Sequence, residues 1–129
     1  MDDEALSPRW KRIGSVDELE QFYNSVLPAI REAAREHGYA IGLHGSMRRD
    51  LDLIAAPWVA IHSPREELAR AVHRAACGMT QESYQWEKKP CGRMATSMPI
   101  CWPEWPGHRG ILSLGCIDLS VMGEYINAL

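Results

Sequence analysis

The chain reads as an α+β domain, a compact mixed sheet with helices packed mainly on one face. Three observations predict it. Apolar residues recur at helical spacing in two segments, near 15–38 and 63–78. An apolar run over 39–44 and aspartates alternating with leucines over 50–53 read as two strands, and short strand patterns dominate from residue 84 onward. The order is helix, two strands, helix, then several strands, which suits a sheet with its helices gathered on one side.

Residues 1–14 are polar and mixed and read as a loose lead-in to a single domain over 15–129. Ser15 with Glu18 fits a capping box, and Gly38 supplies a stop. Between them Leu19, Phe22, Tyr23, Val26, Leu27, Ile30, Ala33 and Ala34 form an apolar stripe. Pro28 is expected to kink this helix or open a second one, since it lacks an N–H and crowds the preceding turn. Tyr39–His44 is the first strand, 45–49 a turn, and Asp50–Ala56 its partner, stopped at Pro57. Ser63-Pro64-Arg65-Glu66 marks the second helix, with Ser63 as N-cap, Pro64 at N1 and Gly78 as its close. Strands are then expected at Tyr84–Glu87, Arg93–Met98 and Ile111–Met122, with an irregular loop over Cys101–Gly110.

Composition bounds the function. With 14 basic and 17 acidic residues the formal charge is −3, which gives no footprint for binding duplex nucleic acid. An apolar fraction of 46% is ordinary for a folded chain. No apolar run approaches the roughly 20 residues that span a bilayer. The opening MDDEALSPRW lacks a signal-peptide pattern, so a cytoplasmic setting without membrane contact is expected. Cys77, Cys91, Cys101 and Cys116 form no C-x-x-C pair and are expected as reduced, mostly buried thiols. Cys91, Cys101 and Cys116 with His108 have the wrong spacing for the common zinc modules. His37, His62, His73 and His108 have no partner at ligand spacing and are expected at the surface.

The chemistry concentrates in Tyr39–Trp58. Asp50 and Asp52 alternate with Leu51 and Leu53, so in a strand both carboxylates project from one face while the leucines point into a core. Neighbouring carboxylates repel and raise each other's pKa, a cost that a divalent cation removes. Asp118, in the apolar setting Ile117-Asp118-Leu119, joins them if its strand lies beside Asp50–Ala56. Three carboxylates are what a two-metal phosphoryl-transfer site requires, with ions about 3.5–4 Å apart. The alternative is an ordinary solvated strand face. Trp86, Trp102 and Trp105, with Lys88, Lys89 and Arg93 nearby, offer either half-buried packing or an aromatic platform for a base or a protein partner.

The order apolar-Gly45-Ser46, then Asp50-Leu51-Asp52-Leu53, then Ile117-Asp118-Leu119 resembles the nucleotidyltransferase superfamily, the fold of DNA polymerase beta and of small antitoxin-type nucleotidyltransferases. The segments HGSMRRDLDLIAAPW and IDLSVM also resemble small uncharacterised bacteriophage and prophage proteins. The first resemblance implies a nucleotidyltransferase-like fold that binds Mg²⁺ or Mn²⁺ through Asp50, Asp52 and Asp118. Asp118 would be the third ligand or the base for the incoming hydroxyl. Gly45, Ser46, Arg48 and Arg49 would meet a nucleoside triphosphate, whose nucleotidyl group passes to a hydroxyl acceptor. The connection between Gly45-Ser46 and the aspartates is shorter than in that family, only Met47, Arg48 and Arg49. The phage resemblance fits such a nucleotidyltransferase-like phage or prophage protein, and the alternative is a non-catalytic protein of phage origin on a degenerate version of the fold, binding or inhibiting a host protein as anti-defence or anti-CRISPR factors do. Its expected mark is an exposed apolar patch around Trp102 and Trp105.

Overall fold

The computed structural model describes residues 10–12, 16–76, 80–102 and 111–124. Ser15, Gly78, Cys77, Trp105 and His108 lie outside them, as does most of the expected loop before Gly110. The fold is α+β. The elements are β1 (Trp10–Arg12), α1 (Val16–Glu36), β2 (Tyr39–His44), β3 (Asp50–Pro57), α2 (Arg65–Ala75), β4 (Glu87–Lys88), β5 (Met94–Trp102) and β6 (Ile111–Val121). Trp10–Arg12 is thus a strand inside the expected lead-in, running parallel to β6 along Ile111–Ser113.

The six strands form one mixed sheet in the order β2-β3-β6-β5-β4, with β1 also on β6. At its centre β3 and β6 run parallel, while β2 pairs antiparallel with β3 and β5 antiparallel with β6. Alternation decides the faces. Leu51, Leu53, Ala55, Ile117, Leu119, Val121, Met98 and Ile100 are buried on one side with Leu19, Tyr23, Val26, Ile30 and Ala34 of α1 and Leu68, Ala69 and Val72 of α2. The residues between them, Asp50, Asp52, Ile54, Cys116, Asp118 and Ser120, stay half-buried on the other side. Burying a leucine side chain is worth about 1.5–3 kcal/mol, so the leucines fix which way the aspartates point.

Four local expectations are corrected. Pro28 opens no second helix: α1 is a single helix over Val16–Glu36 with the proline inside it. The proline is exposed, and the buried stripe runs past it from Val26 to Ile30, so core packing carries one helix across the position. At α2 the N-cap is Pro64, with no side-chain cap bond. Ser63 is taken up elsewhere: its Oγ lies 2.8 Å from His37 Nδ1, and its carbonyl accepts the Tyr39 hydroxyl at 2.6 Å. Tyr84 and Trp86 stand outside the sheet because Glu66 claims their donors. The Tyr84 backbone N–H and the Trp86 indole N–H each donate to its carboxylate at 2.8 Å. Among the described residues Cys91 and Cys116 form no disulfide, and Cys91 is exposed rather than buried.

His73 was expected at the surface and is instead fully buried. Its Nε2 lies 2.8 Å from the Pro99 carbonyl and must donate to it. Nδ1 is then left as the acceptor for the Tyr84 hydroxyl, 3.0 Å away. Burial disfavours the charged ring and lowers its pKa below the usual 6.5.

Candidate functional site

The carboxylates sit where the two parallel strands meet. Pairing places Asp52 of β3 opposite Asp118 of β6, His44 of β2 opposite Asp52, and Ser97 of β5 opposite Asp118. One polar row thus crosses four strands on the face away from the helices, with Asp50 two residues along β3. The Ser97 hydroxyl donates to Asp118 Oδ1 at 2.7 Å.

Crowding shows in the electrostatics. The Asp50 carboxyl is pushed above its ordinary value by burial, then by the Asp118 charge and a carboxyl–carboxyl hydrogen bond to it; Arg49 opposes the shift. Asp52 is raised by burial and then by Asp118, against a lowering contribution from His44. Asp118 is therefore within reach of both others. Among the described residues, however, no group of three or more His, Cys, Asp or Glu side chains is placed so that it could hold a metal ion. The carboxylates form a row rather than a cage. A row of oxygen ligands suits Mg²⁺, which keeps several waters and uses one or two carboxylates together with substrate phosphates.

The geometry of the row is set from the core side. The buried Tyr23 hydroxyl donates to the Arg49 carbonyl at 2.6 Å and accepts the Cys116 N–H at 3.0 Å. It ties the start of β3 to β6, beside Asp50 and two residues before Asp118. A Cβ at Gly115 would overlap that hydroxyl, so glycine is required for the approach. At the other end Gly45, with φ +84°, turns the chain against Asp52, and a Cβ there would lie 2.7 Å from Asp52 Oδ2.

The expected phosphate partners divide. Arg49 neighbours Asp50. Arg48 is turned to α1, 3.2 Å from Glu20 and 3.6 Å from Asp17. The Ser46 hydroxyl accepts the Arg48 backbone N–H at 3.2 Å. A groove of about 500 Å³ opens on the opposite side of the row, with Asp52 and Asp118 on its floor and Trp86, Lys89 and Arg93 on its wall. Sequence reading saw the basic cluster but had no means of bringing it to the aspartates. Only the pairing of β4–β5 with β6 does so.

Fold and site together define a class: an α+β domain whose sheet is covered by helices on one face and carries an acidic row on the other. Compared with known proteins, the chain matches no protein-family model and no curated protein. Among the described residues no helix is long and apolar enough to cross a membrane.

Proposed function

We propose that this chain is a nucleotidyltransferase-like protein that binds Mg²⁺ or Mn²⁺ through Asp50, Asp52 and Asp118 and acts on a nucleoside triphosphate. The observation that carries the reading is the register of Asp52 against Asp118 on adjacent parallel strands, with Asp50 on the same face. Bound cations would supply charge neutralisation at the phosphates. The protein's own part is positioning. Tyr23 and Gly115 hold β3 and β6 in register, and the buried leucines keep the carboxylates on the open face. Asp118 would take the proton of the acceptor hydroxyl as its oxygen attacks the α-phosphorus. The bond to the bridging oxygen then breaks and pyrophosphate leaves.

The test is calorimetric titration of Mg²⁺ and Mn²⁺, with and without nucleoside triphosphate, into wild type and Asp50→Asn/Asp52→Asn. Cation-dependent nucleotide binding that the double variant loses supports the proposal. Absence of cation binding by folded wild type rejects it.

A second reading, a non-catalytic protein that binds a host partner, draws on a different observation. Trp58 is 59% and Ile61 85% exposed, side chains that water disfavours. The patch expected around Trp102 and Trp105 falls on side chains outside the described set. On this reading Trp58→Ser/Ile61→Ser abolishes partner binding while Asp52→Asn leaves it intact.

A further inference from the structure

We propose that the groove between the open sheet face and the β4–β5 hairpin is the nucleotide site, with phosphates on Lys89 and Arg93 and the base against Trp86. The inference deepens the preceding reading by locating the nucleotide, and it moves the phosphate contacts away from the Gly45–Arg49 turn.

Four observations carry it. A groove of about 500 Å³ is within the range of small-molecule sites and is far larger than a cation requires. Its lining sets Asp52 and Asp118 of the sheet opposite Lys89 and Arg93 of the hairpin, which also brings Glu87, and a phosphate bridged to the acidic row by a cation would need such basic partners. The two basic residues are held together by the hairpin itself. The Lys89 N–H donates to the Arg93 carbonyl at 2.8 Å, and Cys91 and Gly92 close the turn with φ of 69° and 77°. Arg93 makes no ion pair with the described residues, whereas Arg48 is already engaged by Glu20 and Asp17.

Trp86 is fixed before any ligand arrives. Its indole N–H is bound to Glu66 at 2.8 Å, and the Arg65 guanidinium lies over its ring, 5.4 Å from the centroid. An aromatic ring immobilised in this way loses little entropy on stacking, and base–aromatic contacts tolerate any base. Lys89 also reaches Glu87 at 3.2 Å, an exposed pair that a polyphosphate would readily displace.

The experiment titrates ATP, inorganic triphosphate and adenosine, each with and without MgCl₂, into wild type, Lys89→Ala/Arg93→Ala, Trp86→Phe and Arg48→Ala. Circular dichroism verifies that each is folded. Loss of two charge-assisted contacts should weaken ATP and triphosphate about tenfold or more in the double variant, with adenosine and Mg²⁺ binding unchanged. Arg48→Ala should bind ATP as wild type does. Trp86→Phe, which keeps a ring but loses the indole bond, should weaken ATP and adenosine and spare triphosphate. An ATP loss confined to Arg48→Ala, or wild type that binds Mg²⁺ but not ATP, overturns the site while leaving the cation reading standing. ATP binding that is independent of Mg²⁺ yet lost in the double variant upholds the site and rejects the cation reading instead.

Discussion

Asp118 is the residue on which the row turns, because it faces Asp52 across the strand pair and raises both other aspartates. A carboxyl whose pKa is raised on folding binds its proton more tightly in the folded state. Stability therefore falls as pH rises through the window above the ordinary 3.8. Asp118→Asn keeps an acceptor for Ser97 and removes the charge. In metal-free buffer at pH 7 it should raise Tm by about 1–3 °C, a modest gain because the groups are largely open to water. Mg²⁺ should raise the Tm of wild type and do so less for the variant. Thermal melts with and without MgCl₂ read both effects, and a lower Tm for the variant would mean that the three charges do not oppose one another.

Among the elements, the β3–β6 pair depends on α1 through one hydroxyl. Tyr23 bonds to Arg49 and Cys116 from the core side, where water cannot replace it. Tyr23→Phe leaves the ring packing in place and strips a partner from the part-buried Cys116 N–H and Arg49 carbonyl, at a cost of about 1–3 kcal/mol. Urea denaturation measures that cost. If the hydroxyl also sets the row, the variant's Mg²⁺ affinity falls although no ligand has been altered. Equal affinity would confine Tyr23 to stability. Glu66 acts likewise for the groove wall, since one carboxylate holds both Tyr84 and Trp86.

Across the whole molecule, His73 joins α2, the segment entering β4, and β5 through Tyr84 and Pro99. Its pKa is lowered, so on acidification the unfolded chain takes the proton first. The stability contributed by the neutral ring is present above about pH 6.5 and is lost progressively below it. The aspartates act in the opposite direction, since their pKa values are raised above 3.8, with Arg49 opposing the shift at Asp50 and His44 at Asp52. His73→Gln should lose about 1–3 kcal/mol at pH 7.5 and show a flatter decline of Tm between pH 7 and 5.5 than wild type. Parallel declines in the two proteins would show that His73 does not govern the acid side.

Period-two alternation around Leu51, Leu53, Ile117 and Leu119 was enough to read the α+β class, strands β2 and β3 to within a residue, and the common face of Asp50 and Asp52. Such patterns are local: side-chain direction in a strand follows from the pleat, and burial of the leucines chooses the face. The capping of α2 and the surface placement of His73 misled for the same reason in reverse. Ser63 and His73 meet partners 26 residues away, and no local pattern encodes which partner a polar group will find. Whether Asp118 stands beside Asp52, and whether Lys89 and Arg93 face them, depends on strand order. Strand order is a property of the packed sheet, decided by which strands can cover the apolar faces of α1 and α2 together, and only the tertiary structure holds it.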